Sequence, residues 1–378
     1  MTKNLKSESA VRRIRPRWFT SVMGTGILAN ATAGLPDAAA GLRHIALIVW
    51  VAAFAWLLLL SAAWLVHAVR NLGAAGGHAD DPAEAPMYGA PPMAILTVGA
   101  GALIVGHDLI GMQAAVTIDW ILWTVGTIAG VLSTVLVPYL MFTRFELAPE
   151  DASGAWLIPV VPPMVSAATG ALLIPHLAAG QSREAMLVAC LALFGMAAVA
   201  SALTATMIWT RLTHFKVPPR TLVPTLWVLL GPFGTSVTAA AKLSKIAPTS
   251  LGAADASALH AFALLYGAPA WGFALMWLAL VSVLTVRAVR EGLPFNLSWW
   301  SFVFPLGTVV TATSGLAGRT GNPAMDAIAG VFLVGLALAW LAVTLATARA
   351  HLWAAARASG RSRGDVRTTA RSSHLSYI

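Results

Sequence analysis

The chain has 378 residues, of which 58% are hydrophobic and 10% charged, against roughly 25% charged in an ordinary globular domain. A mean hydropathy of +0.76 excludes a soluble globular protein and a disordered chain, and the single cysteine, Cys190, excludes an internal disulfide scaffold. The net charge of +9 raises nucleic acid as a partner, but the Lys and Arg residues sit in the tails and between apolar runs, as in a polytopic membrane protein, so no nucleic-acid role is expected.

A bilayer core needs about 20 mostly apolar residues per helix. Such segments fall at 18–34, 45–66, 91–106, 118–142, 155–175, 184–210, 221–241, 257–286, 298–318 and 324–349. The expectation is an all-α integral membrane protein with ten transmembrane helices over residues 18–349, between basic cytoplasmic tails at 1–17 and 350–378. The runs are continuously apolar and do not alternate every second residue, which excludes a β-barrel. The first segment ends near Ala29-Asn30-Ala31, similar to a signal-peptide cleavage site after a basic stretch. The C-terminal tail is as basic as the N-terminal one, so a retained helix is the better reading. Of the 24 Lys and Arg, 19 fall on the side shared by both tails and five (Arg43, Arg183, Lys242, Lys245 and Arg319) on the other. That asymmetry predicts cytoplasmic termini for a protein of the plasma membrane.

Odd and even segments differ in composition. The odd windows hold 21 Gly and Pro in 96 residues, the even ones 9 in 130. Even segments read as long lipid-facing helices, odd ones as short and interrupted. The odd segments share loose motifs: Val22 to Gly26, Ile158 to Pro163, Leu230 to Gly234 and Phe304 to Thr308. Interrupted backbone at membrane depth is tolerated only where it is buried in protein or lines a wet cavity. This predicts five helical hairpins with the odd helices inside, around a central pore. Small residues also serve close helix packing, which remains open for any single glycine.

The odd windows contain no Asp, Glu, Lys or Arg, which argues against a proton pump. His107, Asp108, Asp119, His176, Lys242 and Lys245 stand at segment ends and read as interfacial. The expected pore lining is Gly24, Thr25, Gly26, Pro163, Thr169, Gly231, Pro232, Gly234, Pro305, Gly307 and Thr308, with Thr235, Ser236 and Thr311 as further hydroxyl donors. Helix N-termini aimed at the lumen, with Lys242 and Lys245 at the outer mouth, would favour anions. No HExxH, paired cysteine or Gly-x-Ser-x-Gly pattern is present, and Gly99-Ala100-Gly101 with Gly106 has no following Lys. No enzyme activity, metal or cofactor is therefore expected. Trp18, Trp120, Trp156, Trp299 and Trp300 read as interfacial anchors.

The runs Arg17-Trp18-Phe19-Thr20-Ser21-Val22-Met23-Gly24-Thr25-Gly26-Ile27, Val223-Pro224-Thr225-Leu226-Trp227 leading into Gly231-Pro232-Phe233-Gly234, and Trp299-Trp300-Ser301-Phe302-Val303-Phe304-Pro305 resemble the tellurite-resistance/dicarboxylate transporter family over nearly the whole membrane region. That family includes TehA proteins, malate permeases, sulfite exporters and plant slow anion channels. The resemblance implies five hairpins around a pore, commonly in a homotrimer, carrying malate or a related dicarboxylate, or alternatively sulfite or another inorganic anion. It also implies an occluding aromatic ring at Phe304, with Phe302 as the alternative one helix face away.

Overall fold

The structure, a computed structural model, describes residues 15–35, 40–70 and 79–372. The N-terminal tail through residue 14 and the loop positions 36–39 and 71–78 lie outside the described residues. Ten helices of 12 residues or more are present among them: α1 (Phe19–Ala33), α2 (Ala40–Arg70), α3 (Ala90–Gly101), α4 (Met112–Thr143), α5 (Pro162–Leu173), α6 (Gln181–Phe215), α7 (Leu230–Ile246), α8 (Ala253–Arg290), α9 (Val303–Thr320) and α10 (Pro323–Ser372). In hydrocarbon every backbone N–H and C=O must find a partner within the protein, and these Ala-, Leu- and Val-rich stretches satisfy them as helix. Eight spans are long and apolar enough to cross a membrane. The other two, α1 with 15 residues and α5 with 12, are shorter than the expected windows.

Their shortness has a local cause. Each odd helix is entered through a tighter 3-10 segment: Pro16–Trp18, Ala85–Gly89, Gly154–Leu157, Arg220–Leu229 and Leu297–Phe302. A 3-10 turn rises about 2.0 Å per residue against 1.5 Å in an α-helix, so these lead-ins add length economically. The prolines cluster where the missing N–H costs nothing, in the first turn: Pro91 and Pro92 in α3, Pro162 and Pro163 in α5, Pro232 in α7, Pro305 in α9. The expected interruption of the odd helices is thus mostly at their beginnings. Only α3 changes form in its interior, through a π turn at Ala102–Gly106 that leads to a last turn, His107–Ile110. Just before it, Thr97 O accepts from Asn30 Nδ2 at 2.9 Å and Val98 O from Trp50 Nε1 at 3.0 Å. The turn into α4 pivots on Gly111, whose φ of 79° is a conformation that glycine adopts without strain.

The odd helices pack side by side in the closed order α1, α3, α5, α7, α9 and back to α1, and each even helix lies across the odd helices before and after it. The spans containing α3, α7 and α9 have 67 to 83% of their most apolar stretch buried, against 22 to 28% for the even spans. Large apolar side chains such as Ile48, Leu59, Phe142, Leu265 and Val331 are exposed on the even helices, as lipid-facing positions require. All-α membrane architecture is therefore the fold of this chain. At the N-terminal end of the odd helices, the buried Glu84 pairs with Arg15 at 3.0 Å and with Arg17, fixing the chain as it enters α1.

Candidate anion site

The five odd helices enclose a cavity of about 550 Å³, to which each contributes side chains. Its mouth lies at their C-terminal ends, among Gly34, Lys245, His260 and Arg319, and its floor is Phe304, 3% exposed. Two polar stripes carry its chemistry. On α7, Thr235, Thr238, Lys242 and Lys245 follow one another at intervals of three and four residues, and on α9 Phe304, Thr308, Thr311, Gly315 and Gly318 do the same. That spacing puts each set on one helix face. The facing wall, from α1, α3 and α5, is apolar except for Asn30, Thr97 and Thr169. No Asp or Glu lines the cavity among the described residues.

Most hydroxyls here are already spent. Thr169 donates to Val165 O at 2.9 Å, Thr308 to Pro305 O at 2.6 Å, and Thr238 and Thr311 are bonded to each other at 2.9 Å. Four cavity-lining groups retain buried polar atoms without a partner: Thr235 Oγ1, Ser314 Oγ and Arg319 Nε on or beside the α7 and α9 wall, and on the facing wall Asn30 Oδ1, an acceptor. Arg319 otherwise holds His260, through the ring and through its carbonyl oxygen at 2.7 Å. The ammonium groups of Lys242 and Lys245 make no ion pair among the described residues. The free donors and positive charges therefore concentrate on the α7 and α9 wall.

The residues expected to line the lumen divide sharply. Phe304, Thr308, Thr169, Lys242 and Lys245 do line the cavity. Lys242 and Lys245 are not beyond the seventh helix, as its expected end at 241 implied, but within α7, because the wet cavity lets the helix continue. Gly231 and Pro305 border a second space of about 20 Å³ on the other side of Phe304, with Thr20, Met93, Val161 and Ser301. That is room for about one water. Gly24 packs against Trp300 and Val303, Gly26 against Thr97, Gly234 against Thr308, and Gly307 against Ile27. These four glycines set helix-to-helix distance and do not front the lumen. Thr25 faces outward, accepting from Trp340 Nε1 of α10 at 3.0 Å. Pro163 and Pro232 are buried in first turns away from both spaces. Phe302 lies against Trp227 and Trp299, with ring centroids at 5.2 and 5.9 Å. Ser236 is taken up by Phe233 O and Tyr266. The N-termini of the odd helices gather at the end away from the mouth, so the dipoles of the helices that line the cavity do not supply the mouth's positive character, which comes from Lys242, Lys245 and Arg319.

Sequence reading did not single out His260, Arg319, Asn30 or Ser314 for the lumen, whereas Thr235 was expected there as a hydroxyl donor and is found unspent. The three- and four-residue spacing through Thr235, Thr238, Lys242 and Lys245 was the available signal. Asp119, expected at an interface, is fully buried in α4. His107 and Asp108 do lie at a helix end, where Asp108 holds Arg43 through two bonds.

Residues 13–348 match the family model described as voltage-dependent anion channel, SLAC1. The chain belongs to that family. It is 28% identical over 345 residues to a protein of Arthroderma otae named sulfite efflux pump SSU1, covering 88% of this chain and 90% of that one. It is also 28% identical over 317 residues to an uncharacterized transporter of Methanocaldococcus jannaschii, covering 80% and 83%. The sulfite efflux pump SSU1 of Candida albicans is more distant, at 24% identity. The family membership agrees with the resemblance in the sequence, and makes this chain a membrane transport protein for anions and not an enzyme.

Proposed function

We propose that the cavity is the outer half of an anion conduit, closed at its floor by Phe304, and that its preferred cargo is a compact inorganic oxoanion of the sulfite type. The observation that carries this reading is the one-sided wall of unpartnered donors and cations on α7 and α9, above a single aromatic ring that touches both cavities. A small oxoanion can accept from Thr235, Ser314 and Lys242 on one wall, while the opposite wall offers no second cation for a distant carboxylate. The fungal relatives named sulfite efflux pumps support the same class. Malate, the cargo first expected from the family resemblance, is favoured by one feature: Lys245 and Arg319 add a second tier of charge at the mouth.

Phe304 serves as the gate. A hydrophobic ring at a constriction without ionisable groups blocks ions by excluding water. The excess of Lys and Arg at the opposite end supports a mouth that faces outward and termini in the cytoplasm of a plasma-membrane protein. A homotrimer follows from the family resemblance alone.

The test is transport by the purified protein in proteoliposomes, with sulfite and malate fluxes measured in the same preparation. Sulfite flux exceeding malate flux is expected. Malate moving faster replaces the cargo, and no flux of either, with no anion current, defeats the conduit reading. Lys242→Met should weaken anion affinity by roughly ten- to hundredfold, the loss of one charged hydrogen bond worth about 1.5–3 kcal/mol.

A further inference from the structure

The cavity has two unlike walls, and a compact oxoanion uses only one of them. Lys242, Lys245 and Arg319 line its mouth half from α7 and α9. On the facing wall stand Leu35 just past α1, Ile104 in the π turn after α3, and Leu172 in α5. The odd helices run from the floor toward the mouth, so residue order gives depth. Asn30 precedes Leu35, Thr97 precedes Ile104 and Thr169 precedes Leu172, which puts the polar groups of this wall nearer the floor. Thr97 also donates to Met93 O at 2.6 Å and Thr169 to Val165 O at 2.9 Å. Toward the mouth, the side chains of this wall are hydrocarbon alone.

These apolar residues are not fully used by the fold. Leu35, Ile104 and Leu172 are each half-buried, and Ile104 belongs to none of the buried apolar clusters among the described residues. Aliphatic surface left beside a wet cavity is stabilised when other hydrocarbon covers it. A sulfite-sized anion takes the room of about two or three waters, at about 30 Å³ each, and so leaves most of the cavity of about 550 Å³ unfilled. Pockets of that size, apolar with a few convergent polar groups, are the kind that hold organic ligands. Past Phe304 the space falls to about 20 Å³, so a hydrocarbon body entering from the mouth stops above the ring.

We propose that the cavity is also a binding site for amphipathic organic monoanions, with the anionic head on Lys242 and Lys245 and a short hydrocarbon body on Leu35, Ile104 and Leu172, and that such a ligand plugs the conduit. The binding stands on the two walls alone; the plugging rests on the conduit reading. Charge fixes the head, and each CH₂ laid on the facing wall leaves water, so affinity grows with chain length at constant charge.

The experiment titrates methane-, butane- and hexanesulfonate, whose heads stay ionised at ordinary pH, into the full-length protein in lipid nanodiscs, with empty nanodiscs subtracted. Affinity should rise about threefold per CH₂, roughly a hundredfold over the series. Hexan-1-ol, which lacks the charge, should not displace hexanesulfonate. Lys242→Met should weaken all three ligands about tenfold and keep the slope. Ile104→Asn and Leu172→Asn should bind methanesulfonate normally, which shows that they are folded, and lose most of the gain with chain length. A flat series in the unaltered protein overturns the site, whatever the variants do. Displacement by hexan-1-ol, or a slope kept in either folded wall variant, overturns it as well. Sulfite flux in proteoliposomes, with the sulfonate on both faces, separates the two readings. Block by hexanesulfonate near its Kd, and by methanesulfonate only at roughly a hundredfold higher concentration, supports both. Equal block by all three overturns the two-walled site and leaves the conduit. A full chain-length series in binding, with flux absent or undiminished at saturation, overturns the conduit reading and the plugging while the binding site stands.

Discussion

Phe302 and Phe304 stand on either side of the start of α9 and have opposite surroundings, one set among Trp227 and Trp299 and the other between two cavities. Phe304→Ala should raise basal anion flux by roughly tenfold, equivalent to lowering a barrier by about 1.4 kcal/mol, with little loss of folded yield. Phe302→Ala should leave flux unchanged and lower thermal stability, since each aromatic pair contributes about 0.5–1.5 kcal/mol beyond its area. Liposome flux and detergent melting temperature, measured on both variants, decide between them; raised flux in Phe302→Ala alone would move the gate to that ring. The choice between the two could not be read from residue order. A helix that is apolar on every side carries no periodicity to show which face meets the lumen, and this is why Gly24, Thr25 and Gly26 on the fully buried α1 were expected in the pore and are found against neighbouring helices. Lys242 was readable because a charge at that depth needs a wet face.

At the scale of the helix, tryptophan does more than mark the membrane interface. Indole N–H groups of the even helices donate into the inner ring: Trp50 to Val98 O at 3.0 Å, Trp56 to Ser21 at 2.8 Å, Trp123 to Ser166 O at 2.9 Å, Trp271 to Thr313 at 2.9 Å and Trp277 to Leu226 O at 2.9 Å. Trp340 of α10 reaches back to Thr25 of α1, joining the last helix to the first. These bonds matter because a buried indole or carbonyl left unpaired is costly where no water can replace the partner. Trp50→Phe keeps an aromatic ring but loses the indole N–H and leaves space beside Gly101 and Gly106, which the indole fills, so it should destabilise by about 1–3 kcal/mol, seen as a lower melting temperature with the ten helices still formed by circular dichroism. No change in melting temperature would mean that the aromatic body alone holds α2 in place. Odd and even segments were distinguishable in the sequence through glycine and proline content, but the bonds between them were not. A tryptophan in an apolar run looks the same whether it faces lipid or a carbonyl. The prolines were legible as interruptions, and their placement in first turns follows from the N–H groups that a helix leaves unpaired there.

For the molecule as a whole, the open question of direction is settled by labelling. The end of the ring with the cavity mouth carries the loops near Ala179 and Ala253, and the opposite end carries those near Glu146 and His214. All four side chains are exposed. The native Cys190 is buried, and a buried apolar thiol is inert, so an introduced cysteine reports without background. Of the 24 Lys and Arg, 19 lie at the Glu146 end or in the tails. Cationic loops are retained on the cytoplasmic side, so Ala179→Cys and Ala253→Cys should react with an impermeant thiol reagent added to intact cells. Glu146→Cys and His214→Cys should react only after the membrane is permeabilised. The reverse pattern would turn the cavity mouth toward the cytoplasm. It would also make Lys242, Lys245 and Arg319 the intake of an exporter, consistent with anion efflux but opposite to the charge rule. In that case Phe304 would guard the outer end of the path, and Phe304→Ala would still raise flux. Labelling therefore tests orientation independently of the gate.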